Sequence, residues 1–269
     1  MALPELQICL LGPFQLCWDF TPTAPSIWHN PFAAKLLKIV LLRRPAPVPP
    51  AEAVRLVGGG MTGADLAAAV LHVRQALQQG ATLASDEQGA LSFVPGLKCW
   101  IDLDAIESHY QAGVFAQSRG EMLPAILAFQ EADALYQGDL LEEVQDPWVF
   151  PARQRLQAMY TEILDRLAEG HAVLARYQDA VGFCHKALAH DPLREVTYQR
   201  MMVYYYYLGD MAGALEAYKA CRYALEGAGR PVAAETNALW VRLSQSDGPA
   251  APGVDAAAAL DPSRKTRNK

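Results

Sequence analysis

A 34-residue periodicity in the second half of the chain restricts its fold more than any other feature. A frame begun at Thr161 and another at Glu195 place residues of the same kind at equivalent positions. Positions 4, 7, 8, 11, 20, 24 and 27 read Leu164, Leu167, Ala168, His171, Ala180, Cys184 and Ala187 in the first frame. In the second they read Tyr198, Met201, Met202, Tyr205, Ala214, Tyr218 and Cys221. Small residues recur where two helices must cross closely, with larger apolar ones between. Asp191-Pro192 closes the first frame, because proline stops a helix. Arg176 to Asp179 and Gly209-Asp210 mark the turns inside the two frames. A weaker copy spans Ile106 to Gln137, with Ala125, Phe129 and Ala132 at positions 20, 24 and 27.

This spacing resembles the tetratricopeptide pattern, in which each helix pair cannot bury its apolar face alone and so stacks on the next. A non-repeating helical bundle is the plainer alternative. Stacked pairs make a concave surface suited to holding a protein segment. The run Tyr204-Tyr205-Tyr206-Tyr207 is the candidate partner-binding element, since tyrosine combines a large ring with a polar tip. Four successive residues on a helix point in all directions, so some of these rings are expected inside and some outside.

The first hundred residues read differently. Leu6 to Leu11 and Phe14 to Trp18 form short strands around Gly12-Pro13. Pro31 opens a helix over Phe32 to Leu42 that is apolar nearly all round and therefore buried. After a proline-studded turn, Ala51 to Val57 makes a second helix, ended by Gly58-Gly59-Gly60. Thr62 caps a third helix over Ala64 to Gln79, with Asp65 favourably placed in its first turn. Thr82 to Ser85 and Ala90 to Val94 flank Asp86 to Gly89 as a hairpin. These are the parts of a winged helix-turn-helix, whose third helix enters the DNA major groove. The expected fold is therefore mainly α: an α/β winged helix-turn-helix over 1–101, an all-α tetratricopeptide-like domain over 102–243, and a disordered tail over 244–269.

The order of motifs then resembles bacterial transcriptional activators of the Streptomyces antibiotic regulatory protein (SARP) type. The opening Leu6 to Phe14 is similar to their Leu-Leu-Gly-Pro-Phe start. Leu135 to Leu141 resembles their Tyr-x-Gly-Asp-Leu-Leu signature, and Asp146 to Leu156 the tryptophan- and arginine-bearing helix start that follows. Ala187 to Glu195 resembles their Ala-Leu-x-x-Asp-Pro-Leu-Arg-Glu segment. Trp100 to Leu103 stands where that family passes into its bacterial transcriptional activator domain (BTAD). The resemblance covers about residues 5 to 243 and implies an activator, a homodimer, that binds promoter DNA through the winged helix. It also implies contact with RNA polymerase or another protein through the helical domain.

Charge tests that implication. The 269 residues carry 23 Lys and Arg against 29 Asp and Glu, a formal net charge of −6. Residues 1–103 hold seven of each sign, so the acidity belongs to the helical part. The family's third helix is rich in arginine; aligned by its leucines, this one keeps Arg74 and has Ala67, His72 and Gln75 at the other three positions. Candidate DNA contacts are thus Leu71, His72, Arg74, Gln75 and Gln78, with Lys35, Lys38, Arg43 and Arg44 as a basic edge. Arginine suits guanine and glutamine suits adenine, but so few cations predict a weak electrostatic footprint. The alternative is a winged helix that no longer binds DNA, in a protein-interaction or signal-sensing module.

Other classes fit poorly. With 52% apolar residues the chain is not disordered throughout. The apolar run Leu36 to Leu42 is interrupted by Lys38 and too short to span a bilayer, and Met1 to Gln7 lacks a basic leader region, so no membrane partner and a cytoplasmic location are expected. Cys9, Cys17, Cys99, Cys184 and Cys221 show neither disulfide nor zinc spacing. The six histidines have no metal-ligand spacing, and no phosphate-binding loop occurs. Cys184-His185 is no nucleophile–base pair, because helix neighbours point about 100° apart. The carboxylates Asp139, Glu142, Glu143 and Asp146 lack the form of a calcium loop. No catalytic residue, metal or cofactor is expected. The basic end Arg264 to Arg267 has no assigned role.

Overall fold

The computed structural model describes residues 5–24, 27–78 and 80–246. Two compact units result, Met1–Glu107 with Leu135–Leu156 and Ser108–Ala134 with Gln157–Lys269. Of the expected tail, residues 247–269 lie outside the described residues, as does Gln79 at the end of the expected third helix.

In the first unit, β1 (Leu6–Cys9) pairs antiparallel with β2 (Gln15–Trp18) and parallel with β6 (Cys99–Ile101). A short edge strand, β3 (Thr21–Pro22), completes a sheet of order β3-β2-β1-β6. Leu6 and Ile8 are fully buried, while Gln7 and Cys9 are half-buried, as a strand period of two requires. The first strand ends earlier than its apolar run suggests. The reason is a competing acceptor: the amides of Leu10 and Leu11 donate to Asp102 Oδ2 at 2.7 and 2.8 Å. The chain beyond them bridges to a distant segment, where Leu141 N donates to Leu10 O (2.8 Å) and Gly12 N to Asp139 O (2.9 Å). Arg153 clamps that segment by donating to the carbonyls of Leu140, Leu141 and Val144.

Three helices follow the sheet strands. They are α1 (Ala33–Arg43), α2 (Pro50–Val57) and α3 (Gly63–Leu77). Leu36, Leu37, Leu41, Ala53, Ala69, Val73 and Leu77 form their common core. Proline begins α2, where its missing N–H costs nothing. Gly58, Gly59 and Gly60 all have positive φ, which glycine adopts without strain, and they turn the chain into α3. Thr62 and Asp65 form a full capping box at the start of α3. The hydrogen bonds from the Thr62 side chain and backbone hold the Asp65 carboxyl below its ordinary range. The hairpin β4 (Ala81–Ser85) and β5 (Leu91–Pro95) turns on Asp86, whose Oδ1 accepts from the amides of Gln88 and Ala90. Val48 and Leu91 exchange two 2.8 Å hydrogen bonds, tying the hairpin to the loop before α2.

The second unit contains the helix pairs that the periodicity anticipates. Its segments come from α4 (Asp102–Ser118), α5 (Met122–Leu135), α6 (Phe150–Val173), α7 (Tyr177–His190), α8 (Glu195–Tyr207) and α9 (Met211–Gly227), with α10 (Ala234–Ser244) last. Leu164, Leu167, Ala168, Ala180, Cys184, Ala187, Met201, Met202, Ala214 and Cys221 are all buried. Tyr205 and Tyr218 are only half-buried. Close crossing is enforced where a side chain would collide: a Cβ on Gly113 would stand 2.5 Å from the Phe129 ring, and one on Gly170 2.8 Å from Ile126. Asp165, buried on α6, takes ion pairs from Arg194 and from Arg200, the latter at 2.7 Å. His171 is buried beside Phe183, with Nδ1 3.4 Å from Asp179 Oδ2. Burial and the nearby Arg176 charge push its imidazole pKa down, and Asp179 opposes them without reversing the shift. Among the described residues no helix is long and apolar enough to cross a membrane.

Two stability outcomes follow from these buried groups. Asp102→Ala leaves the Leu10, Leu11 and Leu103 amides without their acceptor and is expected to cost about 2–4 kcal/mol, read from urea unfolding. The fold holds the His171 pKa below its ordinary 6.5, so as pH falls the unfolded chain takes up this proton first. Stability should therefore fall as pH drops through 6.5, and His171→Gln should flatten that part of the Tm-against-pH curve.

Candidate nucleic-acid interface

The third helix of a winged helix meets DNA with the face it turns to solvent, so the residues on that face decide what it can bind. On α3 that face comprises Ala64, Ala67, Ala68, Leu71, Arg74, Gln75 and Gln78, all exposed, with His72 half-buried at its edge. Leu71 is 55% exposed, a large apolar side chain at the centre of the face. The helix has one cation, Arg74. Its Nε donates to Leu83 O at 2.8 Å and its Nη2 to Ser85 Oγ at 3.3 Å, which ties the guanidinium to the first strand of the hairpin while its charge stays unpaired by these neutral acceptors. Arg74 therefore acts as a strut between α3 and β4. The hairpin tip carries the exposed carboxylates Asp86 and Glu87.

The basic edge on α1 is also engaged within its own unit. Lys35 Nζ lies 2.7 Å from Asp146 Oδ1, and Lys38 Nζ lies 2.5 Å from Glu143 Oε1 and over the Phe14 ring. Arg44 makes a two-pronged pair with Asp104, both contacts at 2.7 Å, and Arg43 approaches Glu52 at 2.9 Å. Burial pushes the Glu143 carboxyl up, but the hydrogen bond and charge of Lys38, with backbone amides, outweigh it and hold the pKa low. Three of these carboxylates lie 60 to 111 residues from their cations, beyond the reach of any local pattern. The first unit as a whole holds nine basic and thirteen acidic residues.

In the helical unit the tyrosine run divides by depth. Tyr204 is 2% exposed, and burial pushes its phenol pKa well up. Tyr205, Tyr206 and Tyr207 are half-buried. Tyr207 stacks on Tyr177 with ring centroids 5.0 Å apart, and Tyr205 Oη is 3.3 Å from His185 Nε2. The cysteines are chemically quiet: burial pushes the Cys184 and Cys221 thiols up to about 12. Among the described residues no cluster of three or more His, Cys, Asp or Glu is placed to hold a metal.

With this geometry in place, comparison with known proteins adds three findings. The bacterial transcriptional activator domain (BTAD) family matches residues 101–243, more than half of the chain. Among solved structures, Mycobacterium tuberculosis EmbR in complex with a low-affinity phosphopeptide is similar at 21% identity and a TM-score of 0.78, covering 96% of this chain and 69% of its own. That likeness is one of fold. The TPR2B domain of yeast Sti1, in a complex with pHsp70, is 20% identical with a TM-score of 0.37 over 53% of this chain and 98% of its own. No curated protein matches the sequence.

Proposed function

The chain belongs to the bacterial transcriptional activator domain family, and from that premise we propose that it regulates transcription through protein contacts, its winged helix serving as a docking module. The observation that carries this reading is the α3 face. Non-specific affinity for DNA comes mainly from cations set against phosphates. Here the exposed face of α3 offers alanines, Leu71, two glutamines and a single cation, Arg74, which is bonded to the hairpin. Lys35, Lys38, Arg43 and Arg44 already face carboxylates. A sparsely charged, partly apolar face suits a protein partner better than a polyanion. The helical unit, with the half-buried Tyr205 to Tyr207, supplies the second contact, to RNA polymerase or to another copy in a homodimer.

A second reading is favoured by one specific feature: Gln75 and Gln78 stand exposed on α3, and a glutamine amide can pair with the edge of adenine. In that reading a dimer places two such helices on repeated promoter sites, with His72, Leu71 and Arg74 alongside.

Salt titration separates the two. With duplex DNA from upstream of its own gene, the docking reading expects weak binding and a log–log salt slope below about 2, against about 6 or more for a helix gripping several phosphates. A steep slope together with loss of sequence preference in Gln75→Ala would establish the second reading and sink the first.

A further inference from the structure

We propose that a cleft on the first unit, between α1, the end of α2 and Pro147-Trp148, binds a small phosphorylated organic ligand. The cleft has a volume of about 530 Å3, within the range of small-molecule sites. Lys35, Arg43 and Arg55 line it, three of only nine basic residues in a unit that carries thirteen acidic ones. Cations gathered at one concavity of an otherwise acidic body concentrate anions there.

The charge balance inside the cleft is uneven. Lys35 is matched by Asp146 at 2.7 Å. Arg43 and Arg55, by contrast, share one oxygen: Glu52 Oε1 lies 2.9 Å from Arg43 Nη2 and 3.8 Å from Arg55 Nη2. One carboxylate charge thus faces two guanidinium groups, and the Arg55 side chain is 70% exposed. Two planar forks converging on one point suit the several oxygens of a phosphate group better than one carboxylate oxygen, because each fork can donate two parallel hydrogen bonds.

The remaining wall is apolar, formed by Leu56, Val57 and Trp148. A bare phosphate ion would leave that surface uncovered, whereas the organic part of a phosphate ester covers it. The floor reaches Gly58 and Gly59, two of the positive-φ residues that turn the chain from α2 into α3. A ligand seated there touches the turn that sets the start of α3, which makes the cleft an input to that face.

The test uses the full chain, with inorganic phosphate, AMP and adenosine as probes in calorimetry and thermal shift. AMP should bind saturably and more tightly than phosphate, and adenosine should not bind. Arg55→Ala and Arg43→Ala should each weaken AMP about tenfold while circular dichroism stays unchanged. Arg55 is exposed enough that its removal leaves the fold intact. The proposal fails if neither phosphate nor AMP binds up to about 10 mM, if adenosine binds as well as AMP, or if Arg55→Ala leaves AMP affinity unchanged. It also fails if Arg55→Ala abolishes duplex DNA binding but no AMP binding is seen, since the arginines would then serve backbone phosphate.

Discussion

The buried carboxylate of Asp102 organises the first unit. It is 4% exposed and accepts from the amides of Leu10 and Leu11, 92 and 91 residues earlier, and from that of Leu103 beside it. Burial pushes its pKa up, and the three backbone hydrogen bonds pull against that shift. A charge in such a place is tolerated only because every donor around it points inward. Its consequences spread outward. Because Leu10 and Leu11 give their amides to Asp102, they leave the β1 ladder, and the chain that follows is free to bridge Leu140. That bridge draws residues 135–156 into the first unit and brings Glu143 and Asp146 within reach of Lys38 and Lys35.

The same arrangement sets which charges of the first unit are paired. Lys35, Lys38 and Arg44, which read as a basic edge in sequence, are paired with carboxylates delivered from 60 to 111 residues away, whereas Arg43 shares the nearby Glu52 with Arg55. On α3 the remaining arginine is turned to the hairpin carbonyl of Leu83. The third helix is well built, with a complete capping box and a buried apolar face, and its one cation is Arg74. In the cleft at Trp148, by contrast, two guanidiniums meet one carboxylate, and the positive charge is left in excess.

Different kinds of information were legible in the sequence to different degrees. The helix pairs of the second unit were readable because close packing writes a local rule, small residues at fixed spacing, that both frames obey at positions 20 and 27. Thr62 with Asp65 and the glycines at 58–60 were readable for the same reason, since caps and turns act over a few residues. Gly113 and Gly170 carry no such local mark, although each meets a large side chain from another helix. Their signal is a missing side chain, which becomes meaningful only once the opposing Phe129 or Ile126 is known.

The sequence by itself determined the classes of element, their order, and the family to which the chain belongs. Periodicity, caps and motif order are properties of neighbouring residues, and the backbone responds to them locally. Tertiary structure decided which charges remain available. Electrostatic pairing acts between side chains that meet in space, so Lys35 with Asp146 or Arg44 with Asp104 leaves no trace in the spacing of either partner. The tyrosine run shows the same limit on a smaller scale: four identical neighbours in sequence become one buried ring and three half-buried ones, according to what packs against each face of α8.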